Sequence, residues 1–298
     1  MNGIINVYKE KGFTSFDVVA KLRGILHQKK IGHTGTLDPE AEGVLPVCLG
    51  NATKLCDMLT DKSKTYRTVM KLGITTDTQD MTGSILTEQE VDVTSAELEK
   101  VIRSFVGDYQ QIPPMYSAKK VNGKKLYELA REGKVIERKP CLVCIHSITI
   151  EKIDLEQKEV TMTVSCSKGT YIRTLCHDIG EKLGCGACMK ELLRTQVSCF
   201  LLEDSLKLEQ IEQLQESDAL EAYVISPDRV LEEYCAITVT EEADRLLYNG
   251  NALYSGMIAK KEDGKEEQVR VYDSNGHFVG MYRWEEEEKR YKPVKMFL

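Results

Sequence analysis

The loop GHTGTLDPEAEG, residues 32–43, carries the carboxylate of Asp38 on a short polar turn, followed by Glu40 and Glu42. Pro39 restricts the backbone on its far side, and Gly32 and Gly35 leave its approach uncrowded. Such a turn can aim a carboxylate at a substrate. The same Asp-Pro pair is also ordinary helix-start chemistry, with Asp as N-cap and Pro as first helical residue. The two readings are compatible, and both stay open. His33 is either a hydrogen-bonded loop residue or a contact to substrate. Further on, SKGTYIRTL places Tyr171 and Arg173 two apart. In an extended segment that spacing turns both toward one pocket. Their plainer reading is a strand aromatic and a surface arginine, and Tyr66 in KTYR reads similarly as a half-buried strand aromatic. Taken together, a carboxylate, an arginine, two tyrosines and a histidine suit a base drawn out of its stack. Aromatic rings stack on the base, the carboxylate attacks or accepts a proton, and the guanidinium orients the carboxylate.

Other chemistries find little support. No metal-binding HExxH, Walker loop, dinucleotide fingerprint or nucleophile elbow is present. The pairs Cys141/Cys144 and Cys185/Cys188 have C-x-x-C spacing, but they lie some forty residues apart. The first falls in CLVCIHSITI, a strand pattern in which positions three apart face opposite ways, so no metal site is expected.

Elements that must carry these residues follow from periodicity. GIINVYK reads as a buried strand, and TSFDVVAKLRGILHQKK as a helix burying Val18, Val19, Leu22, Ile25 and Leu26, capped by Thr14 or Ser15. GVLPVCLG and KTYRTVMKLG read as strands joined onward by the turn-rich TDTQDMTG. Thr94-Ser-Ala-Glu97 is a capping box for a helix that Gly107 would end. Asn122-Gly123 predicts a hairpin turn, followed by a short basic helix closed by Gly133. CLVCIHSITIEKIDL and EVTMTVSCS read as paired strands, and SKGTYIRTLCHDIGEKLG turns into a helix stopping at Gly184. SLKLEQIEQLQ is one more helix. Beyond about residue 235, short strands alternate with turns at Asn249-Gly250, Asp263-Gly264 and Asn275-Gly276. The expected fold is α+β with a mixed, largely antiparallel sheet, followed by a small, mostly β C-terminal domain.

The chain has 298 residues, 42% hydrophobic and 29% charged, enough for about two domains with real cores. No apolar run is long enough to span a membrane, and the N-terminal residues lack a secretory signal pattern, so a cytoplasmic location is expected. Ten dispersed cysteines then read as small buried hydrophobes in a reducing compartment. The net charge of −7 is unevenly distributed. Residues 203–233 hold ten acids against Lys207 and Arg229, leaving the rest of the chain near +1. Residues 116–140 hold eight bases against three acids. Such segregation permits a polyanion partner; a solvated face is the plainer reading.

GHTGTLDPEAEGVLPVCLGNATK, KTYRTVMKLGITTDTQDMTG, IPPMYSAKKVNGKKLYELAREG and CSKGTYIRTLCHDIGEKLGCGACMKELLRT, in that order, resemble the TruB family of tRNA pseudouridine synthases over essentially residues 2–200. The tail, with ADRLLYNGN and VRVYDSNGHFVGMYRW, is similar to the PUA-like RNA-binding domain ending many members. The resemblance implies a catalytic domain over 1–230, with an RNA-binding insertion near 108–140, and a PUA-like domain over 235–298. It implies that Asp38 attacks, that Tyr66 stacks on the flipped uracil and helps remove a proton, and that Arg173 pairs with Asp38. Tyr171 would line the pocket, Leu192 close its apolar wall, and His33 fill the space vacated in the RNA loop. Lys64 and the lysines Lys119, Lys120, Lys124 and Lys125 would lie on the phosphate backbone. Asp77 and Asp80 fall in a segment near the RNA, with no role assigned. The implied reaction converts the T-loop uridine, position 55 of tRNA, to pseudouridine with no cofactor. The sequence shows no coiled-coil seam, and a monomer is expected. The aspartate's first step is open between attack at the ribose, attack at the base, and removal of a sugar proton. An RNA-binding or tRNA-folding protein without catalysis is the alternative, and Asp38 discriminates, because a pure binder gains nothing from a carboxylate facing a polyanion. Cys188 departs from the histidine of some relatives, and the Cys141–Cys144 strand is unusually rich in cysteine.

Overall fold

The computed structural model describes residues 1–117, 119–121, 123–134, 136–262 and 267–298, apart from the side chains of Lys120 and Lys125. In chain order the first elements are β1 (Gly3–Lys9), α1 (Ser15–Ile25), β2 (Ile31–His33), β3 (Glu42–Leu49), α2 (Cys56–Thr60) and β4 (Lys64–Leu72). There follow β5 (Ile74–Thr76), β6 (Ile85–Glu88), α3 (Ser95–Arg103), β7 (Gly107–Gln111), β8 (Lys120–Val121), β9 (Lys124–Lys125) and α4 (Leu126–Arg131). Then come β10 (Cys141–Asp154), β11 (Glu159–Cys166), α5 (Ile172–Leu183), β12 (Ala187–Val197), β13 (Phe200–Leu201) and α6 (Leu208–Glu216). The last are β14 (Cys235–Val239), α7 (Glu241–Tyr248), β15 (Leu253–Tyr254), β16 (Ile258–Lys261), β17 (Gln268–Tyr272), β18 (Phe278–Glu285) and β19 (Arg290–Met296).

One sheet of nine strands runs β1-β3-β12-β4-β11-β10-β7, with β2 beside β3 and β13 beside β12. All its pairings are antiparallel except the short parallel contact of β12 with β3, so the expected mixed, largely antiparallel sheet is what the chain forms. Its topology has one late insertion: β12 enters between β3 and β4, neighbours in sequence but not in the sheet. A second sheet of six strands, β15-β19-β18-β17-β14-β16, is built wholly from residues beyond 234. The sheets do not stand apart, because Met281, Phe278 and Phe297 pack into one core cluster with Ile4, Leu55, Leu59 and Phe200.

Local chemistry explains the helices. Thr14 accepts from the Asp17 backbone while Asp17 reaches back to Thr14, and Thr94 and Glu97 do the same for α3. Val18, Val19 and Leu22 bury one face of α1 against β1 and β3, at roughly 1.5–3 kcal/mol for each fully buried side chain. Gly184, at φ +81°, ends α5 in the left-handed geometry that glycine adopts without strain. Some boundaries differ from expectation. α1 stops at Ile25 because His27 turns left-handed at φ +48°. Gly107 opens β7 rather than ending α3, whose cap is Ser104. Asn249-Gly250 closes α7, a helix that the strand-and-turn reading of the tail missed. The expected turns at Asn122 and at Asp263-Gly264 fall on residues outside those described. Among the described residues no helix is long and apolar enough to cross a membrane.

Candidate active site

Asp38 stands on a turn, not at a helix start. Ala41 N–H donates to Asp38 O at 3.1 Å and β3 begins at Glu42, which disposes of the N-cap reading. The turn is held from below. Leu37 and Ala41 are buried, Leu37 N–H donates to Ser15 Oγ at 2.9 Å, and Thr34 donates through N–H and hydroxyl to Pro46 O at 3.2 Å. Lys9, fully buried at the end of β1, donates from Nζ to Phe13 O (2.6 Å), Glu10 O (3.1 Å) and Pro39 O (3.1 Å). Burial pushes its ammonium down to about 8, despite the nearby carboxylates of Glu42 and Asp38. A backbone tied at so many points leaves the Asp38 side chain, 40% exposed, as the free end of a rigid turn.

Arg173 meets that carboxylate with a two-pronged contact, Nε to Oδ2 at 3.0 Å and Nη2 to Oδ1 at 3.3 Å. The guanidinium is itself fixed, Nη1 donating to Thr78 O (3.1 Å) and Nη2 to Tyr116 O (2.8 Å). A second carboxylate, Asp80, lies 3.8 Å from Nη1 and accepts from Thr78 and Thr82. Burial, with Asp80 adding to it, raises the Asp38 carboxyl above its ordinary value against the pull of Arg173 and Lys9. The pair is therefore an oriented carboxylate whose proton affinity is higher than in water. Arg173 occupies the first turn of α5, with Tyr171 as N-cap. The expected extended segment is absent, and the pocket-facing geometry comes from a helix start instead.

Tyr66, on β4, is almost wholly buried beside Cys166, Leu37 and Ala41, with Leu192 of β12 packed against the same cluster. Its antiparallel partner is Arg194, 1% exposed, whose guanidinium meets the phenol hydroxyl. Burial raises the phenol, while Arg194 pulls it back down.

The remaining expected contacts divide. His33 is half-buried beside the loop, its Nδ1 accepting from Gly35 N–H at 3.3 Å, and burial lowers its proton affinity. Tyr171 is half-buried, its backbone bracketed by the buried Gln111 side chain at 2.8 and 3.0 Å. Lys64 turns inward. It is 7% exposed and donates to Thr60 O (2.5 Å) and Lys62 O (2.6 Å), closing the end of α2 rather than facing solvent. Burial lowers it to about 8. In the basic segment Lys119 contacts Cys141, Lys124 lies 3.9 Å from Glu132, and Arg138 donates to Pro113 O at 3.0 Å. Lys120 and Lys125 contribute backbone to the β8–β9 pair, while their side chains lie outside the description. Asp80, Lys9 and Arg194 were not singled out as site residues. Lys9 left one signal, a long cation at the end of the largely apolar strand GIINVYK.

This catalytic-type sheet with its appended small β sheet defines a fold shared with solved structures. The chain is similar to one in a Cbf5-Nop10-Gar1 complex, with TM-score 0.76, 26% identity, and coverage of 99% of this chain and 85% of that one. A chain of an archaeal box H/ACA sRNP Nop10-Cbf5 complex gives TM-score 0.72 at 26% identity, over 100% and 86% of the two chains. The TruB family pseudouridylate synthase N-terminal domain matches residues 23–172, and the tRNA pseudouridylate synthase B C-terminal domain matches 173–232. The tRNA pseudouridine synthase B of Lachnoclostridium phytofermentans is 57% identical over the full length of both chains. That of Clostridium perfringens is 45% identical over 100% of this chain and 99% of its own. The chain belongs to the TruB family of pseudouridylate synthases.

Proposed function

We propose that this protein isomerises uridine to pseudouridine in the T-loop of tRNA, at position 55, by flipping the base and using Asp38 to break and re-form the glycosidic bond. The observation that carries this is the Arg173-paired Asp38 carboxylate on a rigid turn, next to a wall made of Tyr66 and Leu192. Flipping a base costs a few kcal/mol, and stacking on an aromatic ring returns about 1–3 kcal/mol. The C–N bond breaks, the uracil turns, and its C5 joins the ribose. The proton on C5 leaves and N1 gains one, so the atoms balance without a cofactor. Asp38 is the group that touches the reacting atoms, Arg173 orients it, and Tyr66 stacks on the base and assists proton removal. Tyr171 and His33 flank the entry, and Lys119, Lys120, Lys124 and Lys125 meet phosphate. We further propose that residues 1–230 form the catalytic domain and 235–298 a PUA-like RNA-binding domain, acting as a cytoplasmic monomer.

The test is tritium release from tRNA transcript carrying [5-³H]uridine, with wild type and Asp38→Asn side by side and tRNA binding measured in parallel. Release by wild type and none by a variant that still binds is the expected result. Binding without release by either protein would overturn the enzymatic reading and leave a tRNA-binding protein.

A further inference from the structure

Arg194 is a fully buried cation that the reaction as described does not use. It is 1% exposed, and among the described residues no carboxylate lies within ion-pair distance of it. Burying such a group without a counter-ion is costly unless its donors are taken up. Carbonyls of the site take up two of them. Nε donates to Val44 O at 2.7 Å, and Nη2 reaches Gly35 O at 3.4 Å, so the guanidinium grips the Asp38 turn on both sides. Its remaining face meets the Tyr66 hydroxyl, and the two residues are directly opposed in the β12–β4 ladder. Its backbone is locked as well. Gly43, at φ +105°, pairs with Arg194, and a Cβ there would fall 2.2 Å from Arg194 O.

We propose that Arg194 is a positioning residue that fixes the Asp38 turn and the Tyr66 phenol in one relation, so that the phenolic oxygen is aimed to accept a proton from the base. This rests on the proposed function above, because it gives both residues work on the same base. Charge supports it. Arg194 from β12, Cys166 from β11 and Asp38 from the turn act electrostatically on the Tyr66 hydroxyl, and of these Arg194 alone is a cation. Arg194 also disfavours the charged forms of the neighbouring Lys9, His33 and Lys64, so its field spans the pocket floor.

The experiment is single-turnover tritium release across pH 6–9 with full-length wild type, Arg194→Lys, Arg194→Met, Tyr66→Phe and the Met/Phe double variant. Binding of the same tRNA is measured alongside. Arg194→Met should slow release on the order of 30- to 100-fold with binding within about threefold, as expected for a group that acts on proton transfer. The rising limb of its pH–rate profile should move to higher pH. Arg194→Lys should recover a tenth of the wild-type rate or more. In the Tyr66→Phe background the Met substitution should cost much less than alone. An unmoved pH profile, or equal losses with and without the Tyr66 hydroxyl, would overturn the inference while leaving the synthase reading intact. If Arg194→Met does not fold, Arg194→Gln takes its place: a shifted profile supports the inference, and an unshifted one overturns it. No release from wild type would sink the underlying reading instead.

Discussion

The Asp38 turn and the basic segment 116–140 both depend on cations, but they place them oppositely. Beneath the turn Lys9 and Arg194 are buried and spend their donors on Pro39, Gly35, Val44 and neighbouring carbonyls. In the basic segment Lys124 and Lys134 lie at the surface and are both paired with Glu132. A buried cation fixes a backbone, because leaving a desolvated carbonyl or ammonium unpaired costs about 1–3 kcal/mol or more. An exposed cation costs little to move and meets a polyanion by releasing counter-ions. Counting lysines therefore misjudges both regions. Geometry decides which charges hold the protein and which ones stay at its surface.

The sharpest break of this contrast is at Arg173. Arg173→Ala leaves Asp38 and Asp80 without their shared guanidinium, and single-turnover release should fall by about 10³-fold, with stability lower by about 3–5 kcal/mol. Next is Lys9→Met, which strands three carbonyls. Thermal unfolding should come roughly 5–10 °C earlier, measured by scanning calorimetry. A third prediction uses pH. Lys9 and Lys64 titrate near 8 when folded, and an unfolded lysine titrates at about 10.4. The unfolded chain therefore binds more protons between those values, and stability should rise as pH climbs from about 8 to 10. Denaturant midpoints should show this rise in wild type and a smaller one in Lys64→Met. The smallest effect belongs to the exposed region. Lys124→Ala should weaken tRNA binding only a few-fold and lower the log–log salt slope by about one unit, with the rate of bound complex unchanged. A loss of rate at constant affinity would erase the distinction between the two regions.

Much of the fold is visible in local pattern. The capping boxes at Thr14 and Thr94, the strands over GIINVYK, GVLPVCLG and KTYRTVMKLG, and the helix stop at Gly184 all follow from neighbouring residues. What is not visible locally is partnership. Nothing in MKELLRTQV says that it separates β3 from β4, because that placement is set by cores more than a hundred residues apart in sequence. The site divides the same way. Asp38, Tyr66 and Arg173 are polar types in conspicuous segments, and the structure brings Asp38 together with Arg173 and sets Tyr66 behind them. For Lys64, strand alternation gives the side chain's face but not the α2 carbonyl that its ammonium meets. Asp80 escaped because its importance lies in its distance to Arg173. Arg194 escaped because a buried arginine in a strand looks like an exception to the pattern until its partners are known.

The late entry of β12 has a consequence for how the protein is made. As the chain leaves the ribosome, β1 and β3 pair early and β4 emerges soon after, yet nothing joins them until residues 187–197 appear. Until then the nascent chain presents two open sheet edges, one beside the Asp38 turn and one beside Tyr66. Long-range closure of this kind is slow, and unpaired edges invite association with other chains. An interrupted translation product ending before β12 would hold both halves of the pocket and the means to aggregate, but no pocket.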